Sequence, residues 1–233
     1  MSKFKIALLA ILFYSFSNSA ALYAQVGNSE LGAWYSYFFS TGFGESGFGV
    51  MGDVQHRNYK VASDFQQLIL RAGLTYKIKE TPLKLVAGYS YFNSGTPGED
   101  NSQTIENRYY QDVLWSQKIG TRISFNHRIR FEERFIQNQD FRTRYRYALN
   151  VRAPLNNKEL VPNTLYLWAA GEVFINGQKQ TGSGTVNLYD RTWLFSGLGY
   201  EINKPLRLEL AYMREVTNTA TKGQLIMSLF HNF

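Results

Sequence analysis

Arginine recurs at alternate positions through the middle of the chain. Arg122, Arg128, Arg130, Arg134, Arg142, Arg144, Arg146 and Arg152 fall on one parity, with Glu132 as the single acid among them. Spacing by two places side chains on one face of a strand. A planar guanidinium takes a carboxylate in a bidentate pair and attracts anions. Two chemistries follow: an Arg–carboxylate lattice that fills an enclosed space, or a cationic lining that draws anions through it. Asp53, Asp112, Glu172 and Glu209 are the acids expected across that space, with Arg191 and Arg207 adding further cations. An isolated buried charge costs several kcal/mol, so the groups must be paired or hydrated.

His127 is the one candidate catalytic residue, because strict alternation puts it on the apolar face beside Glu133. A hydrolase acting on lipid would need a nucleophilic serine and an orienting acid near it. Ser116, on the preceding segment, is the serine to consider. No Gly-x-Ser-x-Gly elbow occurs. A local bulge would turn His127 inward instead. No cysteine is present, and the histidines are only His56, His127 and His231. No metal, nucleotide or other cofactor is therefore expected. Gly42-Phe43-Gly44 with Gly47 and Gly49 lacks the strand-then-helix setting of a phosphate loop and is read as a turn.

The elements that position these residues are strands. Eleven segments alternate apolar and polar residues: 30–39, 47–57, 65–78, 83–93, 106–117, 121–135, 141–152, 164–175, 188–202, 205–215 and 223–233. None carries a helical period. Opposite the arginines stand Ile123, Phe125, Ile129, Phe131, Tyr145, Tyr147 and Leu149. Segment 65–78 sets Leu68, Leu70, Leu74 and Tyr76 against Arg71 and Lys77. Segment 205–215 sets Leu206, Leu208, Leu210 and Tyr212 against Arg207, Glu209 and Glu215. Turn chemistry separates the segments, as at Glu80-Thr81-Pro82 and Asn203-Lys204-Pro205.

Aromatics are 16% and charged residues 18% of the 233 residues, a composition that excludes a disordered chain. Residues 1–24 read as an export signal: Lys3 and Lys5, the apolar stretch 6–16, then small residues up to Ala24. Removing it takes two lysines and no acid, and lowers the net charge from +7 to +5. That balance gives no sign of a nucleic-acid partner. Residues 25–233 then form one domain. Export, strand length and aromatic content together favour an all-β, antiparallel up-and-down transmembrane barrel in the outer membrane. Apolar rows would meet outer-membrane lipid, and aromatic girdles would use many of the Tyr, Trp and Phe. Even strand parity, the rule for single-chain bacterial barrels, reduces or raises the eleven segments to 10 or 12 strands. Region 25–64 is the weakest in alternation.

The last segment alternates Leu225, Met227, Leu229, His231 and Phe233. It resembles the C-terminal signal by which bacterial outer-membrane proteins reach the barrel-assembly machinery, with His231 as a departure. The run 127–135 (HRIRFEERF), then 141–147 (FRTRYRY), Glu172-Val173-Phe174, Asp190-Arg191 and Gly197-Leu198-Gly199-Tyr200 follow in order. Together with Trp34-Tyr35 and Gln66-Gln67-Leu68, they resemble a domain-of-unknown-function family of predicted outer-membrane β-barrels over essentially the whole mature chain. The resemblance implies a barrel and no established activity. The expected role is structural or small-solute transport, with anions favoured. The alternatives are a lipid-modifying hydrolase centred on His127 and a soluble periplasmic β-sandwich.

Overall fold

A computed structural model describes residues 31–98, 100, 102–120, 122–182 and 184–233. The export signal expected at 1–24 lies outside these. The described residues form strands and turns with no helix. In order they are β1 (Gly32–Gly42), β2 (Phe48–Lys60), β3 (Ser63–Lys77), β4 (Leu83–Gly95), β5 (Gln103–Ile119), β6 (Ile123–Ile136) and β7 (Arg142–Pro154). There follow β8 (Thr164–Asn176), a two-residue hairpin of β9 (Gln180–Thr181) and β10 (Gly184–Thr185), β11 (Tyr189–Glu201), β12 (Leu206–Thr217) and β13 (Thr221–Asn232).

Eleven strands close into one barrel, each antiparallel to its chain neighbour, with β11 pairing directly to β8. Closure is different: β1 lies parallel to β13, from Gly32 opposite Gln224 to Ser40 opposite Asn232. The count therefore falls between the 10 and 12 expected from parity. An even count is needed only if the first and last strands must run antiparallel, and a parallel seam removes that requirement. Segment 30–39, within the region weakest in alternation, corresponds to a full barrel strand, β1. A second consequence is that β1 begins and β13 ends at opposite ends of the barrel.

The barrel strands run from 11 to 17 residues, longer than the 5–6 typical of globular sheets. At the end where β1 starts, the connections are 61–62, 96–102, 137–141, 177–188 and 218–220. At the other end they are 43–47, 78–82, 120–122, 155–163 and 202–205. The glycine stretch forms the β1–β2 turn, where Gly44 and Gly47 take φ of +57° and +79°. Those are left-handed values that glycine adopts without a Cβ clash.

The two faces divide sharply. Outward positions carry Leu70, Leu74, Tyr109, Ile129, Tyr145, Leu194, Leu198, Leu210 and Met227, all exposed. Inward positions carry the buried charges and a small apolar core of Trp34, Met213 and Ile226, packed by Trp193, Phe195 and Ala211. Three of the four tryptophans, Trp34, Trp168 and Trp193, thus point inward, where girdle positions were expected. Filling a lumen of this size takes bulk, and aromatic rings supply it.

Candidate functional site: the charged lumen

The ion-pair network begins with β5, β6 and β7, whose registers set acids beside arginines. Glu132 lies opposite Arg144, and Asp112 opposite Arg130. Glu132, 1% exposed, accepts from Arg144 Nε at 2.8 Å and from Arg146 Nη1 at 2.8 Å. Arg108 stands 3.5 Å away from it. Arg130 grips both oxygens of Asp112, at 2.6 and 2.7 Å. Glu106 takes Arg108 and Arg134 together, at 2.7 and 2.6 Å. Glu172 on β8 joins Arg146 and Arg128, at 2.7 and 2.5 Å. Asp190 and Glu215 continue the chain through Arg144 and Arg191.

A second knot crosses the interior. Glu209 on β12 accepts from Arg152 on β7 at 3.1 Å, although β8 and β11 separate those strands in the wall. Arg207 and the Tyr166 hydroxyl also donate to Glu209. Tyr166 reaches it by lying across Gly199, where a Cβ would run into the ring. Several guanidiniums also rest on rings: Arg108 on Phe92, Arg130 on Tyr110, Arg146 on Phe174 and Arg207 on Phe230, with centroids 3.7–4.3 Å away. Such stacking offsets part of the desolvation cost of a buried cation.

Of the residues singled out from sequence, Arg128, Arg130, Glu132, Arg134, Arg144, Arg146, Arg152, Glu172, Arg191 and Glu209 come together in these pairs. Arg122 does not: it precedes β6 and donates to the carbonyls of Pro154 and Asn157 at the barrel's end. Arg142, half-buried, stands opposite Arg134. Sequence reasoning passed over Glu106 and Arg108, and Arg57 on β2. The alternation Glu106, Arg108, Tyr110, Asp112 was readable, but its run of polar residues on the other parity (Asn107, Gln111) hid the contrast.

His127 and Ser116 are not brought together. β5 and β6 pair Trp115 with His127 and Ser116 with Asn126, so the serine and the histidine occupy opposite faces of the wall. Ser116 donates to Asn126 at 2.7 Å. His127 lies on the outer face, stacked flat on Trp115 with centroids 4.5 Å apart, and its Nδ1 is 2.9 Å from the Tyr147 hydroxyl. No bulge interrupts β6 there. Among the described residues, no cluster of metal-ligating side chains occurs.

Fold and lumen define a closed β-barrel with an ion-paired interior. The profile of the proteins of unknown function DUF2490 matches residues 31–225, and the chain belongs to that family. It is also similar to an uncharacterized protein of Methylorubrum extorquens, 30% identical over 185 residues that cover 76% of this chain and 77% of that one.

Proposed function

We propose that the protein is an outer-membrane β-barrel, structural in role, whose lumen is closed to through-flow by the Arg–carboxylate lattice. The observation that carries this is the inside-out distribution: exposed Leu, Tyr, Phe and Val on the outward rows of the barrel strands from β2 to β13, and buried charges inside. A water-soluble barrel or sandwich of this length would place those rows in a core. In hydrocarbon the same rows are the stable face, and closure leaves no unpaired strand edge. Residues 1–24 serve as the export signal. The strand β13, presenting Leu225, Met227 and Leu229 outward and followed by Phe233, is offered to the barrel-assembly machinery. His231 joins that outer row through a 2.9 Å contact between its Nδ1 and the Tyr37 hydroxyl.

Fractionation tests the location. After a urea wash, the mature chain is expected to stay with outer membranes, and its unboiled form is expected to migrate faster than its boiled form on a detergent gel. Recovery as a freely soluble protein would defeat the reading.

A second reading, anion transport, is favoured by one observation. Among the described residues, the ion-pair network and Arg57 hold eleven arginines against eight carboxylates. Planar bilayers separate the two. The wild type is expected to be electrically silent, because the pairs span the interior. Arg144→Ala with Arg146→Ala is expected to open small conductance steps by emptying the choke. Anion-selective steps in the wild type, lost in that double variant, would establish transport instead.

A further inference from the structure

The lattice does not fill the barrel. Beside it lies a cavity of about 1040 Å³, opened by small inward residues: Ser36, Ala148, Ala170 and Ser228. One side of the wall is cationic. The other is an aromatic run in which Trp168 faces Phe195 (5.8 Å between centroids), Phe195 meets Trp193 (6.3 Å) and Trp193 meets Trp34 (4.9 Å). Phe174 packs edge-on to Trp193 at 4.5 Å.

Arg57 stands where these two sides meet. It lines the cavity, is 8% exposed, and lies flat on Trp34 with its guanidinium carbon 3.7 Å from the ring centre. Among the described residues no ion pair joins Arg57 directly to a carboxylate: Asp53, which pairs with Arg71, is reached only through Gln55, whose side-chain N–H donates to that carboxylate at 2.8 Å. The contacts of Arg57 are the amide oxygens of Gln55, at 3.2 and 2.7 Å, and of Gln67, at 3.1 Å. A guanidinium has five N–H donors, so two remain uncommitted. A buried cation held directly by amides, with Asp53 reached only through Gln55, is costly, and an incoming anion relieves that cost. At the far end of the aromatic run, the Trp168 indole N–H is buried, lines the same cavity and has no acceptor. An arginine with donors to spare and flat rings side by side fit a ligand that joins a carboxylate to a planar apolar body. A bare inorganic anion would leave the rings unused, and a neutral aromatic would leave Arg57 uncompensated.

We propose that the lumen binds a small aromatic carboxylate, its carboxylate on Arg57 and its ring against Trp34, Trp193 and Phe195. The chamber exists whether or not the outer wall meets lipid, so this proposal and the membrane reading can fail separately. The test is equilibrium dialysis of the full chain, refolded in detergent micelles, against labelled benzoate, benzamide and acetate, with empty micelles subtracted. Wild type is expected to take up one benzoate per chain saturably, with benzamide and acetate at least about tenfold weaker. Arg57→Gln, still heat-modifiable on gels, is expected to weaken benzoate by at least about tenfold. Benzoate is also expected to alter the intrinsic fluorescence of Trp34, Trp168 and Trp193 in the wild type. No saturable benzoate uptake, acetate held as tightly as benzoate, or unchanged affinity in a folded Arg57→Gln would each overturn the proposal. Should Arg57→Gln not fold, the wild-type ranking decides: benzoate first supports the site, and any other order removes it.

Discussion

Glu132→Gln is expected to destabilise the barrel more than any other single lumen substitution, by about 3–5 kcal/mol. The carboxylate is almost fully enclosed, and it is the point where Arg144, Arg146 and Arg108 converge. An amide of the same shape keeps one accepting oxygen, turns the other into an N–H donor facing a guanidinium, and carries no charge. Three guanidiniums would then repel one another in a medium that screens poorly. The measurement is the urea midpoint at which the fast-migrating, unboiled form disappears. A second variant checks that charge, and not shape, is responsible. Glu132→Leu combined with Arg144→Met and Arg146→Met removes the cluster together. The acids left behind keep partners: Glu172 keeps Arg128, and Asp190 keeps Arg191. Removing a whole buried ionic group in favour of apolar side chains is often neutral or better. The triple variant is therefore expected to be more stable than Glu132→Gln, and the reverse order would show that the lattice is not held by its charges.

How much of this was legible in the sequence depends on which strand is read. In β6 and β7 one parity holds all the arginines and the other is mostly apolar, so strand, face and period are evident together. In β1 both parities carry aromatic rings: Trp34 and Phe38 point in, Tyr37 and Phe39 point out. Alternation fades when a hydrophobic core and a hydrophobic exterior flank one wall, which is why region 25–64 is the weakest in alternation. The seam was not legible at all. That β1 closes in parallel on β13 is a long-range pairing, and the parity rule that replaced eleven strands with ten or twelve assumes the opposite. Alternation likewise gives a residue's face but not its height along the axis. It could name Glu209 as an inward acid without showing that it meets Arg152 three strands away, and it could not reveal that Arg57 reaches Asp53 only through Gln55.

The inside-out assignment itself makes the second large prediction. Leu210 lies near the middle of β12, flanked by Leu198 on β11 and Met227 on β13, and is 50% exposed on the outer wall. If that wall meets hydrocarbon, Leu210→Arg places a guanidinium near the bilayer midplane. The expected cost is about 2–4 kcal/mol, seen as a lowered urea midpoint for the barrel folded into lipid vesicles. If the wall meets water, an exposed leucine replaced by arginine changes stability within about 0.5 kcal/mol. Thr219→Arg, in the connection between β12 and β13 at the barrel's end, supplies the reference: it adds the same charge outside the apolar belt and is expected to cost little in either case. The two variants differ only in the height at which the charge enters. A large gap between them places lipid against the leucine rows, and equal midpoints would return those rows to water and with them the whole outer-membrane reading.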